Sequence, residues 1–381
     1  MFRKNFFIFC LTFFTVSFGV AAMAALVPTV AVYFGVEQNC AVKLTWLYML
    51  PYGTFALLWS PLTRIFKVKN IFLFTTLGFG LSAFFFSFSP TICQAFIYRF
   101  LMGCFGCSFV PLVLITIGKT VSPEEKSKYI GVLFALSYIS TFLSVFLSGF
   151  VVWWGIVYLI PAVLSLVIFI LGVIFMNDFD FRKEKFSISY KNTFKDREAV
   201  AFFFVIMVAS FFYHSLQQRL GIYLSRTYFL EQKVISTIFT VSTLSAIVFE
   251  FAGGFLSARF GSIKVASVGF ILMSIFTLFL LGIRDYRSLF IVIGLWGAGW
   301  ALAHVGLSSY LTLLPEQVMR DASSLNSALR FSLGGLGAVA GGIIVDLMGF
   351  KALFVFVGAG VLYLGISLKK ILNKKGVLWV S

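Results

Sequence analysis

Of the 14 acidic residues in this sequence of 381, Glu250 is the one placed well inside an apolar run, in "STLSAIVFEFAGGFLS". The two histidines, His214 and His304, fall in apolar runs as well, and so do Arg99, Arg219 and Arg330. Ionisable groups in such surroundings are costly, and where they persist they bind or move something. A shielded carboxylate or imidazole takes up and releases protons near neutrality, and a guanidinium recognises anions. Each group also has a plainer use. Glu250 lies about four residues, or ~6 Å of helical rise, from Gly254, and either carries protons or braces a nearby loop. His304, one turn before Ser308, suits proton coupling or simple packing. Depth along the runs places Glu250, His304 and Arg330 at one level, which predicts a Glu250 to Arg330 or Glu250 to His304 contact. Arg99 either holds an anionic group or braces a helix through carbonyls of the first span.

His214, Gln217 and Gln218 occupy i, i+3 and i+4 and share a helix face, with Arg219 beside them. This stretch, "YHSLQQR", is the most polar in any apolar run. So many donors together predict a water-filled cavity or hydrogen bonds between helices. Asn326 and Arg330, one turn apart, add two more polar groups ahead of a glycine-rich segment. Enzymes leave other traces. No ATP-binding loop, H-E-x-x-H or paired His/Asp metal spacing is present, so neither an enzyme, a metal nor a cofactor is expected. Cys104 and Cys107 form a C-x-x-C, but inside an apolar run beside glycines, where packing is the expectation. Cys40 and Cys93 are both placed on the outer side and are able to pair.

The elements that must position these groups are membrane helices. With 60% hydrophobic and 12% charged residues, the chain lies outside the range of soluble domains. Runs of about 20 apolar residues recur at 5–34, 44–62, 71–89, 92–117, 129–150, 153–176, 200–224, 234–257, 262–283, 288–313, 322–347 and 350–371. Runs of that length mean helices rather than barrel strands. The expected fold class is an all-α polytopic membrane protein of 12 transmembrane helices in two pseudo-symmetric six-helix bundles.

A net charge of +16 would point to nucleic acid in a soluble protein, but here it reports orientation. With the N-terminus cytoplasmic, 21 of the 30 Lys and Arg fall in cytoplasmic segments, six in outer segments, and three, Arg99, Arg219 and Arg330, inside spans. Positive charge stays inside, so both termini are expected in the cytoplasm of a multi-pass inner-membrane protein, with no nucleic-acid partner. Arg3 and Lys4 ahead of an apolar run imitate a secretory leader, but the run continues to about Phe34 and reads as the first helix.

The longest polar interruption, 177–199, separates an N-terminal bundle, 1–176, from a C-terminal one, 200–381, and reads as a cytoplasmic linker. The halves repeat. At an offset of 194, "SPLTRIFKVK" falls on "GFLSARFGSI", pairing Thr63 with Ser257 and Phe66 with Phe260. At an offset of 192, "SPEEKSK" falls on "LPEQVMR", pairing Pro123 with Pro315 and Glu124 with Glu316. Parallel six-helix repeats with a midplane site are a transporter design.

On these residues the chain resembles the major facilitator superfamily. Gly254, Leu256, Ser257, Arg259, Gly261 and Lys264 match its signature G-x-L-[AS]-D-R-x-G-[RK]-[RK], with Ala258 at the Asp position. The first copy is more worn, with Arg64 at the Asp position and Lys67 at the second glycine. Arg99 and Gly103 match R-x-x-x-G, and "SPEEKSKYIG" is similar to the family's P-E-E-R loop. Spans ten and eleven, with His304 and Gly334, Gly335, Gly337, Gly341 and Gly342, resemble the drug and metabolite efflux branch. Span five lacks that branch's Gly-Pro pair.

The resemblance implies secondary active transport of a small organic solute by alternating access, as proton-coupled efflux. Its alternatives are a proton-coupled uptake symporter and a non-transporting, transporter-like scaffold or sensor. The expected partners are a small-molecule substrate, protons and the lipid bilayer, and the chain is expected to be a monomer. Three arginines against one carboxylate point to an anionic or neutral polar substrate. The family's loop Asp is thought to latch the two halves; with Ala258 and Arg64 in its place, Glu124, Glu125 and Glu316 are the available substitutes.

Overall fold

A computed structural model of the chain describes residues 2–63, 65–121, 123–177, 194–311 and 316–372. It is all-helical among these residues. The helices are α1 (Phe2–Phe18), α2 (Ala22–Phe34), α3 (Gln38–Ala41), α4 (Lys43–Leu62), α5 (Val68–Ser87), α6 (Ile92–Gly106), α7 (Phe109–Thr120), α8 (Pro123–Ser148) and α9 (Ile156–Phe175). They continue with α10 (Arg197–Tyr228), α11 (Gln232–Phe260), α12 (Ser262–Phe279), α13 (Arg287–Leu311) and α14 (Glu316–Leu372). Among the described residues nine segments are long and apolar enough to cross a bilayer, and the bent pair α1 and α2 makes ten. Two features bear on the expected twelve. The segment Leu325–Leu372 holds two helices, divided at Gly349 (φ 81, ψ 174). The 20-residue α4 is less apolar because tryptophans, tyrosines and prolines interrupt it.

Two spans that read as continuous in the sequence are broken in the structure, and hydrogen bonding explains both. The first bends by 47° between Asn5–Phe18 and Ala22–Phe34. There the Tyr158 hydroxyl donates to the Gly19 carbonyl at 3.0 Å and takes it out of the helical ladder. The fourth is interrupted between α6 and α7, where Pro111 removes the amide that would bond the Cys107 carbonyl. The Trp59 indole N–H donates across to the Cys104 carbonyl and the Cys107 thiol, both at 3.1 Å. Cys104 and Cys107 are buried there, and all five cysteines, Cys40 and Cys93 included, are free thiols.

The stretch "GGFLSARFGSIK" reads as a loop but is mostly helix. Helix α11 runs on to Phe260, and Gly261 alone makes the turn into α12, at φ 92 and ψ 139. That backbone is open to glycine and strained for other residues. At the repeat offset of 194, Gly261 corresponds to Lys67, which caps α5 at φ −61 and ψ 137. The first copy therefore needs a longer connection, residues 63–67. The equivalence of the two copies survives in burial: Thr63 and Ser257 are 4% and 6% exposed, Phe66 and Phe260 52% and 51%. Arg64 lies outside the described residues, as do most of the expected linker 177–199 and the side chains of Glu124, Glu125 and Glu316.

The chain divides into two compact units, Met1–Ile188 with Glu231–Ser236, and Ser189–Leu230 with Thr237–Ser381. In the first, α5 packs on α9 and α6, α4 on α6, and α1 on α8 and α9. In the second, α10 packs on α14, and α12 on α13 and α14. Apolar burial does not drive helix association in lipid, so the helices meet through small residues. A Cβ added at Gly299 would sit 2.6 Å from the Met273 amide nitrogen, and one at Gly306 2.7 Å from that of Ala266. Gly337 and Gly341 press in the same way on the backbone of Phe211 and Ser215.

Gly299→Val is expected to lower stability by ~1–3 kcal/mol or more through overpacking. Gly254→Ala, where nothing lies within 4 Å, is expected to leave stability unchanged or slightly raised. Thermal melting of the purified protein in detergent checks both.

Candidate functional site

Helix α13 carries two faces with different work. Gly299, Ala303 and Gly306 meet the backbone of α12, while Trp296, Trp300 and His304, at i, i+4 and i+8, form a column on another face. Helix α11 is held against α13 where Gly297 meets Ser242 and Gly253 meets Val305. The two contacts keep nearly one register, and they bring Glu250 level with His304. His304 Nδ1 lies 2.6 Å from Glu250 Oε1, with the side chains 18% and 17% exposed. A carboxylate and an imidazole at this distance share a short, charge-assisted hydrogen bond.

The α13 column continues as an aromatic stack. Tyr213 of α10 lies parallel to Trp300, with centroids 3.8 Å apart and 14° between planes, and to Trp296 at 5.0 Å and 6°. Trp300 faces His304 at 6.2 Å and 28°. Tyr213 adjoins His214, the two rings standing edge to face at 4.9 Å. Gln218 Nε2 is 3.4 Å from His214 Nδ1, and Gln218 also donates to Gln217 Oε1. These bonds lie within α10 rather than between helices, and Gln217, Gln218 and Arg219 are buried at 7%, 5% and 4% exposure.

Arg219 belongs to a different cluster from His214. Its guanidinium lies over Gly342, where any Cβ would collide with it, and the Asp346 carboxylate, one turn beyond Gly342, attracts it. Arg330, the other expected partner of Glu250, has its carbonyl bonded by the Ser210 hydroxyl at 2.6 Å. Its positive charge reaches His214. Asn326 is half-buried, one turn before Arg330, and its Oδ1 has no hydrogen-bond partner among the described residues.

Arg99 sits in the other unit and is 1% exposed. Its Nε donates to the Leu44 carbonyl at 3.1 Å, in the second span rather than the first. The guanidinium lies over Tyr48, Phe86 and Tyr158, 4.6, 5.4 and 5.2 Å from their centroids. Ring faces stabilise a desolvated cation, and these contacts lie within one unit. Of the loop residues, Gly254, Arg259, Gly261 and Lys264 are exposed and Lys67 half-buried, and Arg259 lies over Phe260 at 5.2 Å.

The sequence reading missed the stack, whose signal was the spacing of Trp296, Trp300 and His304. It also missed Tyr310, which donates to Glu198 Oε1 at 2.7 Å and ties the start of α10 to the end of α13. No group of His, Cys, Asp and Glu able to hold a metal occurs among the described residues.

Comparison with known proteins gives these features a setting. A family model described as Major Facilitator Superfamily matches residues 8–229. Two solved structures are similar over nearly full length. One is the nucleoside transporter NupG in a mutant form, at 14% identity and TM-score 0.72, covering 97% of this chain and 99% of that one. The other is a mutant of the peptide transporter POT in complex with alafosfalin, at 15% identity and TM-score 0.75, covering 99% and 96%.

Arg99→Lys keeps the charge but loses the planar fork that lies against three rings. We expect it to destabilise the protein by ~1–2 kcal/mol, seen as a lower melting temperature, while Arg259→Lys at the exposed turn leaves melting unchanged.

Proposed function

The chain belongs to the Major Facilitator Superfamily and is a membrane transporter rather than an enzyme, and on that premise we propose that it is a proton-coupled secondary transporter that exports a small organic solute by alternating access. The observation that carries the proton coupling is the Glu250–His304 contact of 2.6 Å. Glu250 is the one carboxylate well within a span, and a lone acid there is costly unless it is paired or used. Here it is paired with the side chain whose charge changes most readily near neutrality. Both groups are partly exposed.

Export is supported by the efflux-like character of spans ten and eleven, which hold His304 and the glycines of α14. A scaffold without transport activity would have no use for a half-exposed acid–base pair beside a stack of rings. The inner membrane, with both termini cytoplasmic, is supported by the bias of Lys and Arg toward one set of segments. Arg99 and Arg219 are both occupied within their own units, so the arginines favour an anionic solute less than their number in the sequence implied.

Everted membrane vesicles test the proposal. With an acid-inside gradient, vesicles containing the protein are expected to accumulate its solute and to lose it when the gradient is collapsed. Glu250→Gln is expected to reduce gradient-driven accumulation at least ~100-fold, while exchange of labelled for unlabelled solute continues. His304→Ala is expected to shift the pH dependence of transport and retain part of the rate. Accumulation driven by the opposite gradient would mean uptake by symport, and accumulation that ignores the gradient would remove the coupling.

A further inference from the structure

The column on α13 has two gaps of one helical turn, Trp296 to Trp300 and Trp300 to His304. The first takes a ring from elsewhere in the protein: Tyr213 of α10 stacks on both tryptophans, at 3.8 and 5.0 Å and within 14° of parallel. In the second, Trp300 and His304 face each other at 6.2 Å with 28° between planes. A ring inserted between two flat neighbours needs ~7 Å, about 3.5 Å on each side. The gap is therefore closed at present, short of that spacing by about an ångström. What holds it closed is visible: His304 is bound through Nδ1 to Glu250. Trp300, His304 and Glu250 are all partly exposed, whereas Trp296 is 3% exposed, so the second gap is the accessible one.

We propose that the transported solute carries a planar aromatic or heteroaromatic ring, which enters between Trp300 and His304 and presents a hydrogen-bond donor from its edge to Glu250. This names the solute class for the transport site argued above and rests on that reading. Insertion turns the His304 ring outward by about an ångström and breaks its contact with Glu250. The donor on the solute then replaces the imidazole at the carboxylate, so no buried acceptor is left unmet. A saturated ring of the same outline is too thick for the gap and gains no stacking. Occupation by solute and the Glu250–His304 contact thus exclude one another, which makes the site sensitive to the proton the pair holds.

The test is equilibrium binding to the purified full chain in detergent, with no proton gradient, using benzamide, cyclohexanecarboxamide and N,N-dimethylbenzamide as probes. Benzamide is expected to bind about tenfold more tightly than cyclohexanecarboxamide, the difference that ring stacking provides. N,N-dimethylbenzamide, which keeps the ring and loses the donor, is expected to bind more weakly than benzamide. Trp300→Leu is expected to erase the preference for the flat ring, and Trp300→Phe to retain it. Should Trp300→Leu fail to fold, the ring protons of bound benzamide decide the matter in the parent chain, because stacking moves their resonances upfield. Equal binding of benzamide and cyclohexanecarboxamide overturns the proposal, as does an undiminished preference in a folded Trp300→Leu chain or the absence of an upfield shift. Since binding is read without a gradient, either result leaves proton coupling standing or falling on the vesicle experiment alone.

Discussion

Close backbone contact between α12 and α13 is what the C-terminal unit depends on. In lipid there is no hydrophobic gain from bringing two apolar helices together, so their association rests on van der Waals contact and on hydrogen bonds. Gly269, Gly299 and Gly306 let the two backbones touch, leaving no room for a Cβ at any of the three. Because α13 spends one face on that contact, its other face is free to hold bulky side chains in fixed positions. Trp296, Trp300 and His304 rise along that face, and α11 is brought alongside with Glu250 at the height of His304. A larger residue in place of Gly299 would move the column, and with it the acid–base pair.

Much of this was legible in the sequence, for physical reasons that can be named. Bilayer thickness sets helix length, so counting apolar residues located the spans. Depth along the spans brought Glu250 and His304 to one level, and depth is what decides whether two side chains on different helices can meet. Direction around the helix is less legible. The same count put Arg330 at that level as the alternative partner, and it is His304 that meets Glu250. Breaks within spans were hidden for a related reason. The Tyr158 hydroxyl that bends the first span comes from a residue 139 positions away. Proline was visible at position 111, but not the Trp59 indole that meets the carbonyl and thiol at that break.

The repeated turn shows how far two copies of one motif can drift while keeping their frame. Buried Thr63 and Ser257, and exposed Phe66 and Phe260, hold equivalent places. At the equivalent position the backbone differs, with φ 92 at Gly261 against −61 at Lys67. A positive φ lets α11 pass into α12 across one residue; without it the first copy uses five. Gly261 closes the turn of the second copy by its own backbone geometry.

The two units also solve the problem of a buried charge in opposite ways, and the difference bears on which of them does chemistry. Arg99 is surrounded by three aromatic faces and bonded to a carbonyl. Ring faces and a carbonyl are neutral partners that stabilise the cation without a counter-ion. Glu250 and His304, by contrast, face each other at 2.6 Å and are each partly exposed. The C-terminal unit thus holds an ionisable pair in contact, where the N-terminal unit encloses a single cation among rings.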